Sequence, residues 1–331
     1  MKPIVAVSLL VALPWATGVA EAQTTLKLAT IVGPDSAFST SAVKFKEIAE
    51  AKSGGKLKIE VYPGGSLAKN ENVMLEGFQL GTIDLGAIVT SSIGGKWDPK
   101  FLAFDPPFLW KDREHIWRVV DGPLGKDMMK RLEPLGAHGF CYGGGYGFRN
   151  VLSNKRPILV PDDLKGQTIR VPPIPTLTEL FKSFGANPVP MAWGEVYLAV
   201  KQGTVDGLEL PADVTTSDKF HEIIKYYSLT HHFYPPGIWM MAAAKYNGLA
   251  PELKKVIEET MTATCAFHRQ EELKHEAASL ALMKQKGVQV NEVKDPKLFQ
   301  DRAAPVYKFL EGKVGKELMD RVFAEAKAQA R

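Results

Sequence analysis

Lys165-Gly166-Gln167-Thr168-Ile169-Arg170-Val171-Pro172, then Gly185-Ala186-Asn187-Pro188-Val189-Pro190-Met191-Ala192-Trp193, then Gly203-Thr204-Val205-Asp206-Gly207-Leu208-Glu209-Leu210-Pro211, are the pieces of sequence that decide the fold. Each contains a short strand bounded by glycine or proline, and the intervals between them read as helix. Strand, helix, strand, helix, strand is a compact α/β layer. Arg170 leaves the first strand just before prolines, so one guanidinium stands at a strand end. Open sheets of this kind bind ligands in the crevice beyond their strand ends.

The flanking sequence repeats the pattern. Residues 26–30 read as a strand, and a helix follows near 39–52 with Ala42, Phe45, Ile48 and Ala49 on one face. Residues 57–62 alternate as a strand, a helix is expected near 70–80, and residues 83–89 form a third strand. This alternation predicts a mainly parallel sheet covered by helices. Gly143-Gly144-Gly145-Tyr146-Gly147 marks an entrance to the middle region. It fits neither G-x-G-x-x-G nor G-x-x-x-x-G-K-[ST], so it reads as an interdomain crossover whose glycines permit unusual backbone angles. Pro251-Glu252-Leu253 opens a helix with few breakers before Gly287, long enough to brace two lobes.

Composition narrows the class. The 331 residues exceed one compact core, and the formal net charge of +4 with no basic stripe excludes a nucleic-acid footprint. Lys2, the apolar run from Ile4 to Val19 and Ala20-Glu21-Ala22 read as a secretory signal peptide over residues 1–22, cleaved near Ala22. No later segment is long and apolar enough to insert in a membrane. Cys141 and Cys265 can oxidise in an exported chain, but their spacing leaves pairing open. The histidines lack metal-ligand spacing: His231 and His232 are adjacent, and no H-E-x-x-H is present. There is no G-x-S-x-G elbow, and the paired glutamates of the long helix read as solvated faces. No catalytic group, cofactor or metal is expected.

The order of the quoted pieces resembles the DctP-type solute-binding subunits of tripartite ATP-independent periplasmic (TRAP) transporters. Tyr62-Pro63-Gly64-Gly65-Ser66-Leu67, Phe104-Asp105-Pro106-Pro107-Phe108-Leu109 and Gly147-Phe148-Arg149 extend the likeness over essentially the whole mature chain. The resemblance implies a two-domain, clam-like α/β periplasmic fold. Its first domain would hold residues 23–146 and 236–275, its second 147–235 and 276–331. It also implies that Arg170 grips a ligand carboxylate, which suits a planar guanidinium fork better than a lysine. Arg149 resembles the family's second arginine contact, and Trp193 an aromatic pocket position. Glu209 and Leu210 fall where the family reads E-N, so leucine replaces asparagine here. The implied partners are a small carboxylate and the small and large TRAP membrane subunits.

Ile31 and Val89 are apolar where some sialic-acid-binding relatives are polar. Ser91 and Ser92 are candidate hydrogen-bond donors, and Phe148, Trp193, Leu210, Phe233, Tyr234 and Trp239 candidate walls. The combination favours a carboxylate on an apolar or aromatic body over a sugar acid rich in hydroxyls. Alternatives are a secreted α/β enzyme acting on an organic acid and a solute receptor for a sensor.

Overall fold

The computed structural model describes residues 23–330, so the signal-peptide reading of residues 1–22 lies outside the described residues. The first strands are β1 (Thr24–Ala29), β2 (Leu57–Tyr62), β3 (Leu85–Val89), β4 (Ala137–Tyr142), β5 (Arg149–Ser153) and β6 (Thr168–Val171). The rest are β7 (Asn187–Pro190), β8 (Gly207–Leu210), β9 (Tyr226–Phe233), β10 (Gly237–Ala242) and β11 (Gln289–Glu292). They build two sheets, ordered β2-β1-β3-β10-β4 and β11-β9-β5-β8-β6-β7. Each sheet, with its covering helices, is one lobe.

The sheets are mixed, which corrects the expectation of a mainly parallel one. β1, β2 and β3 pair in parallel, but β10 runs antiparallel to both β3 and β4. In the second lobe β6, β7 and β8 are parallel, and β5 is antiparallel to β8 and β9. The strands that break the rule, β5 and β10, follow the two crossings between lobes. A strand arriving from the other lobe is not fed by a strand–helix–strand return, so nothing forces it parallel.

Local chemistry sets the helices that frame the cleft. Helix α1 (Ala37–Lys52) starts at Ser36, whose side chain accepts from the Ser39 amide. Helix α2 (Glu71–Leu80) starts at Asn70, which accepts from Val73, and stops at Gly81 in the left-handed conformation (φ 69°). The spine helix, Pro251–Gln285, runs 35 residues, roughly 50 Å at 1.5 Å per residue. Cys141 and Cys265 form a disulfide that ties β4 to it. Toward its C-terminal half the buried side carries His268 and Glu272 rather than aliphatic residues.

The C-terminal helices Ala304–Val314 and Lys316–Gln329 bridge the lobes: the first packs on residues 99–104 of the first lobe and on the helix Pro175–Ser183 of the second, and the second helix reaches the first lobe. His115 Nε2 donates to the Ala326 carbonyl at 2.7 Å, and Arg321 pairs with Asp127 at 2.7 Å, both first-lobe partners. Buried Leu310, Val314, Met319, Val322 and Ala326 form the apolar face responsible. Sequence shows such a face, not the surface it will cover.

Candidate functional site

The carboxyl ends of β1, β3, β6 and β8 converge on the cleft between lobes. There lies a cavity with about 80 Å³ of room for the centres of water molecules, lined by Ile31, Val32, Val89, Ile174, Leu210 and Val214 on its apolar side. Its polar lining is Arg170, Arg149, Trp193, Tyr146, Ser92, Asn70, Glu71 and Asn72.

Arg170 is 2 % exposed. Its Nε and Nη2 donate to the Met191 carbonyl at 3.2 and 2.7 Å, and its guanidinium carbon lies 5.5 Å from the Trp193 ring centre. Among the described residues no carboxylate forms an ion pair with it. Burial pushes its pKa down to about 9, with the nearby Glu209 carboxylate pulling it up and Arg149 adding to the fall, so the group stays charged at neutral pH, buried and without a direct ion pair.

Arg149 is in the opposite condition. Its Nη2 donates to Glu209 Oε1 at 2.6 Å and to the Glu209 carbonyl at 3.0 Å, and its Nε donates to Oε2. Burial pushes the Glu209 carboxyl up, but Arg149 and the nearby His232 outweigh it and hold the group below the ordinary range. Burial lowers the His232 imidazole, which keeps it neutral. Arg149 lines the cavity with its fork already occupied. Glu209 stands behind it and does not line the cavity.

Of the other candidates, Trp193, Leu210 and Ser92 line the cavity. Ser91, Phe148 and Trp239 do not, and each has a structural partner instead. Ser91 donates to Asp105 at 2.6 Å. Phe148 packs on Tyr234, ring centres 5.0 Å apart, and under the Arg113 guanidinium. Trp239 is fully buried and donates to His268 Nδ1 at 3.1 Å. Large aromatic residues suit a wall and a core equally well.

Sequence reasoning missed Glu71, Asn70, Asn72 and Tyr146. Tyr146 reaches the cavity because the crossing segment passes tightly under the spine helix. A Cβ on Gly144 would lie 2.1 Å from Glu272 Oε2, so that glycine serves close approach. Among the four glycines of the run only Gly147 takes a positive φ, 108°. The reading of the run as conformational licence therefore holds at one position. Glu71 was visible only as the first residue after a helix cap, where an acid is ordinary.

Both rims of the cleft are joined. The Ala37 and Gly33 amides of the first lobe donate to Asp213 at 2.8 Å and Asp218 at 3.0 Å in the second. On the other rim Thr176 donates to Asp105 at 3.0 Å. Burial raises the Asp105 carboxyl to about 7, although Ser91 and Thr176 both donate to it.

Residues 28–313 match the DctP family, described as bacterial extracellular solute-binding protein, family 7. The chain is 34 % identical over 261 residues, 79 % of each chain, to the 2,3-diketo-L-gulonate-binding periplasmic protein YiaO of Escherichia coli. A sugar acid binding protein from Advenella mimigardefordensis, solved with galactonate, superposes at TM-score 0.89, with 27 % identity over 93 % of this chain and 99 % of that one. A TRAP periplasmic solute-binding protein from a Bordetella, with density assigned to pantoate, superposes at 0.86, with 34 % identity over 91 % of this chain and 99 % of that one.

Proposed function

The chain belongs to the DctP family of bacterial extracellular solute-binding proteins, and from that membership we propose that Arg170 anchors a small organic acid which the protein then delivers to TRAP membrane subunits. It is a TRAP-type solute-binding protein for carboxylates, and its relatives bind rather than transform their ligands. The family is periplasmic. Residues 1–22 supply the export signal, so N-terminal sequencing of the exported protein begins at or near Gln23; intact Met1 in a membrane fraction would overturn this.

The observation that carries the reading is the buried, unpaired guanidinium of Arg170 inside the cavity. A buried charge without a counter-ion costs several kcal/mol, which a ligand carboxylate offsets on arrival. The guanidinium also presents a fork that matches both carboxylate oxygens. The aliphatic wall opposite, Ile31, Val32, Val89 and Val214, favours a branched or short hydrocarbon body, and so pantoate over galactonate, which carries a hydroxyl on every carbon beyond its carboxylate. Calorimetry of the mature protein against pantoate, galactonate and 2,3-diketo-L-gulonate tests this. Tight binding of a neutral polyol, with no carboxylate binding, would overturn it.

A further inference from the structure

Among the described residues Glu71 is the one carboxylate that lines the cavity, and it is 8 % exposed. Its Oε1 accepts from the Tyr146 hydroxyl at 2.8 Å and from the Val89 amide at 3.2 Å, and its Oε2 accepts from the Ser92 hydroxyl. All three partners donate, so the pocket is built around a carboxylate that accepts. Burial raises the group above the ordinary carboxylate range, and those donors together with the charge of Arg149 pull back toward the ionised form without cancelling it. Among the described residues no lysine or arginine forms an ion pair with Glu71. The side chain therefore offers the cavity an acceptor with about one lone pair to spare, since a carboxylate takes about four hydrogen bonds and three are made. Arg170 and Glu71 come from opposite lobes, so the chamber is polarised, with a cation on one side and an anion on the other.

We propose that Glu71 is a specificity-determining residue: it accepts a hydrogen bond from a donor carried by the ligand, a hydroxyl or an ammonium group, and it turns away a second carboxylate. The class of ligand is then a small monocarboxylate with a hydrocarbon body and one or more hydrogen-bond donors. This rests on Arg170 holding the ligand's carboxylate. A second carboxylate near Glu71 would set two like charges in a desolvated chamber, whereas a hydroxyl or ammonium would be satisfied there.

Four probes of similar size separate the contributions by calorimetry. Pantoate carries hydroxyls, 3,3-dimethylbutanoate lacks them, 2,2-dimethylsuccinate ends in a second carboxylate, and valine carries an ammonium. Wild-type protein is expected to bind pantoate or valine roughly 10- to 100-fold more tightly than 3,3-dimethylbutanoate, the range for a hydrogen bond to a charged group, and to bind 2,2-dimethylsuccinate no better than 3,3-dimethylbutanoate. The tighter of pantoate and valine identifies the donor. Glu71→Gln, nearly isosteric, is expected to weaken the donor-bearing probe about tenfold or more and to strengthen 2,2-dimethylsuccinate by a similar factor. The proposal is overturned if wild type binds 2,2-dimethylsuccinate as tightly as it binds pantoate and valine, if it binds neither donor-bearing probe, or if a folded Glu71→Gln leaves the ratios unchanged. The wild-type comparison stands even if that variant does not fold. Arg170→Ala separates the two readings. Loss of all binding there with unchanged Glu71→Gln ratios removes only the role of Glu71, whereas retained pantoate binding removes the anchor itself.

Discussion

Two arginines reach the cavity from β5 and β6, the strands on either side of β8, and they are prepared for different work. Arg149 is neutralised by Glu209 before any ligand arrives, while Arg170 has a backbone carbonyl and an indole face for company. The pleat accounts for the split. Val151 lies opposite Glu209 and Arg170 opposite Leu208, so Glu209 shares a sheet face with Val151, two residues beyond Arg149. Leu208 and Leu210 share the other face with Arg170. One residue of register therefore decides which guanidinium is structural and which is left open for an anion.

The largest expected effect is on Arg170. Arg170→Ala should weaken binding of the cognate acid by two to four powers of ten, roughly 3–5 kcal/mol. Removing an unpaired buried charge should leave the melting temperature of the free protein unchanged or raise it. Arg170→Lys restores charge without the fork and should recover part of the affinity. Calorimetry beside a melting curve checks both. Arg170→Ala that binds within a few-fold of wild type would collapse the distinction between the two arginines.

The mirror experiment is on Arg149. Arg149→Ala strands Glu209 in the core and should cost roughly 3–5 kcal/mol of stability, a fall of about 5–15 °C in melting temperature for a protein of this size. Replacing both partners, Arg149→Met with Glu209→Leu, should return most of it, because the uncompensated charge is then gone. A single substitution that melts like wild type yet loses the ligand would make Arg149 a second anchor and reverse the assignment.

This contrast marks how far the sequence can be read. Arg170 was legible because a strand end before prolines is a recognisable place, and the α/β class because its punctuation is local. The partner of Arg149 was not, since nothing in Gly147-Phe148-Arg149 tells which carboxylate sixty residues away will sit on the same sheet face. Phe148 and Trp239, candidate walls, and Ser91, a candidate donor, lie outside the cavity lining for a related reason: composition says what a side chain can do, and packing decides where it does it. Glu71 went unread because its three donors come from β3, the short helix Thr90–Lys96 after it and the interlobe crossing, segments that only folding brings together.

The smallest expected effect concerns the rim rather than the cavity, and it asks whether an unpaired buried acid behaves as the inverse of an unpaired buried arginine. Asp105 joins the lobes through Ser91 on one side and Thr176 on the other, and burial raises it to about 7. When the lobes part, its carboxyl meets water and returns toward about 3.9. A group whose pKa is higher in the closed state takes up a proton on closing, so closure is favoured as pH falls through 7 and disfavoured as pH rises through it. Ligand binding that requires closure should therefore strengthen between pH 8 and pH 6, by up to about tenfold. The sign is opposite to that of an ordinary ion-paired carboxylate, whose contribution is lost as pH falls. Asp105→Asn keeps the shape, removes the titration and should flatten this part of the profile, with the affinity at pH 8 rising toward the wild-type value at pH 6. Isothermal titration of wild type and Asp105→Asn at the two pH values decides it. Equal slopes for the two proteins would mean that Asp105 holds the same proton in the open and closed forms, and that the rim, unlike the two arginines, carries no charge asymmetry for ligand binding to exploit.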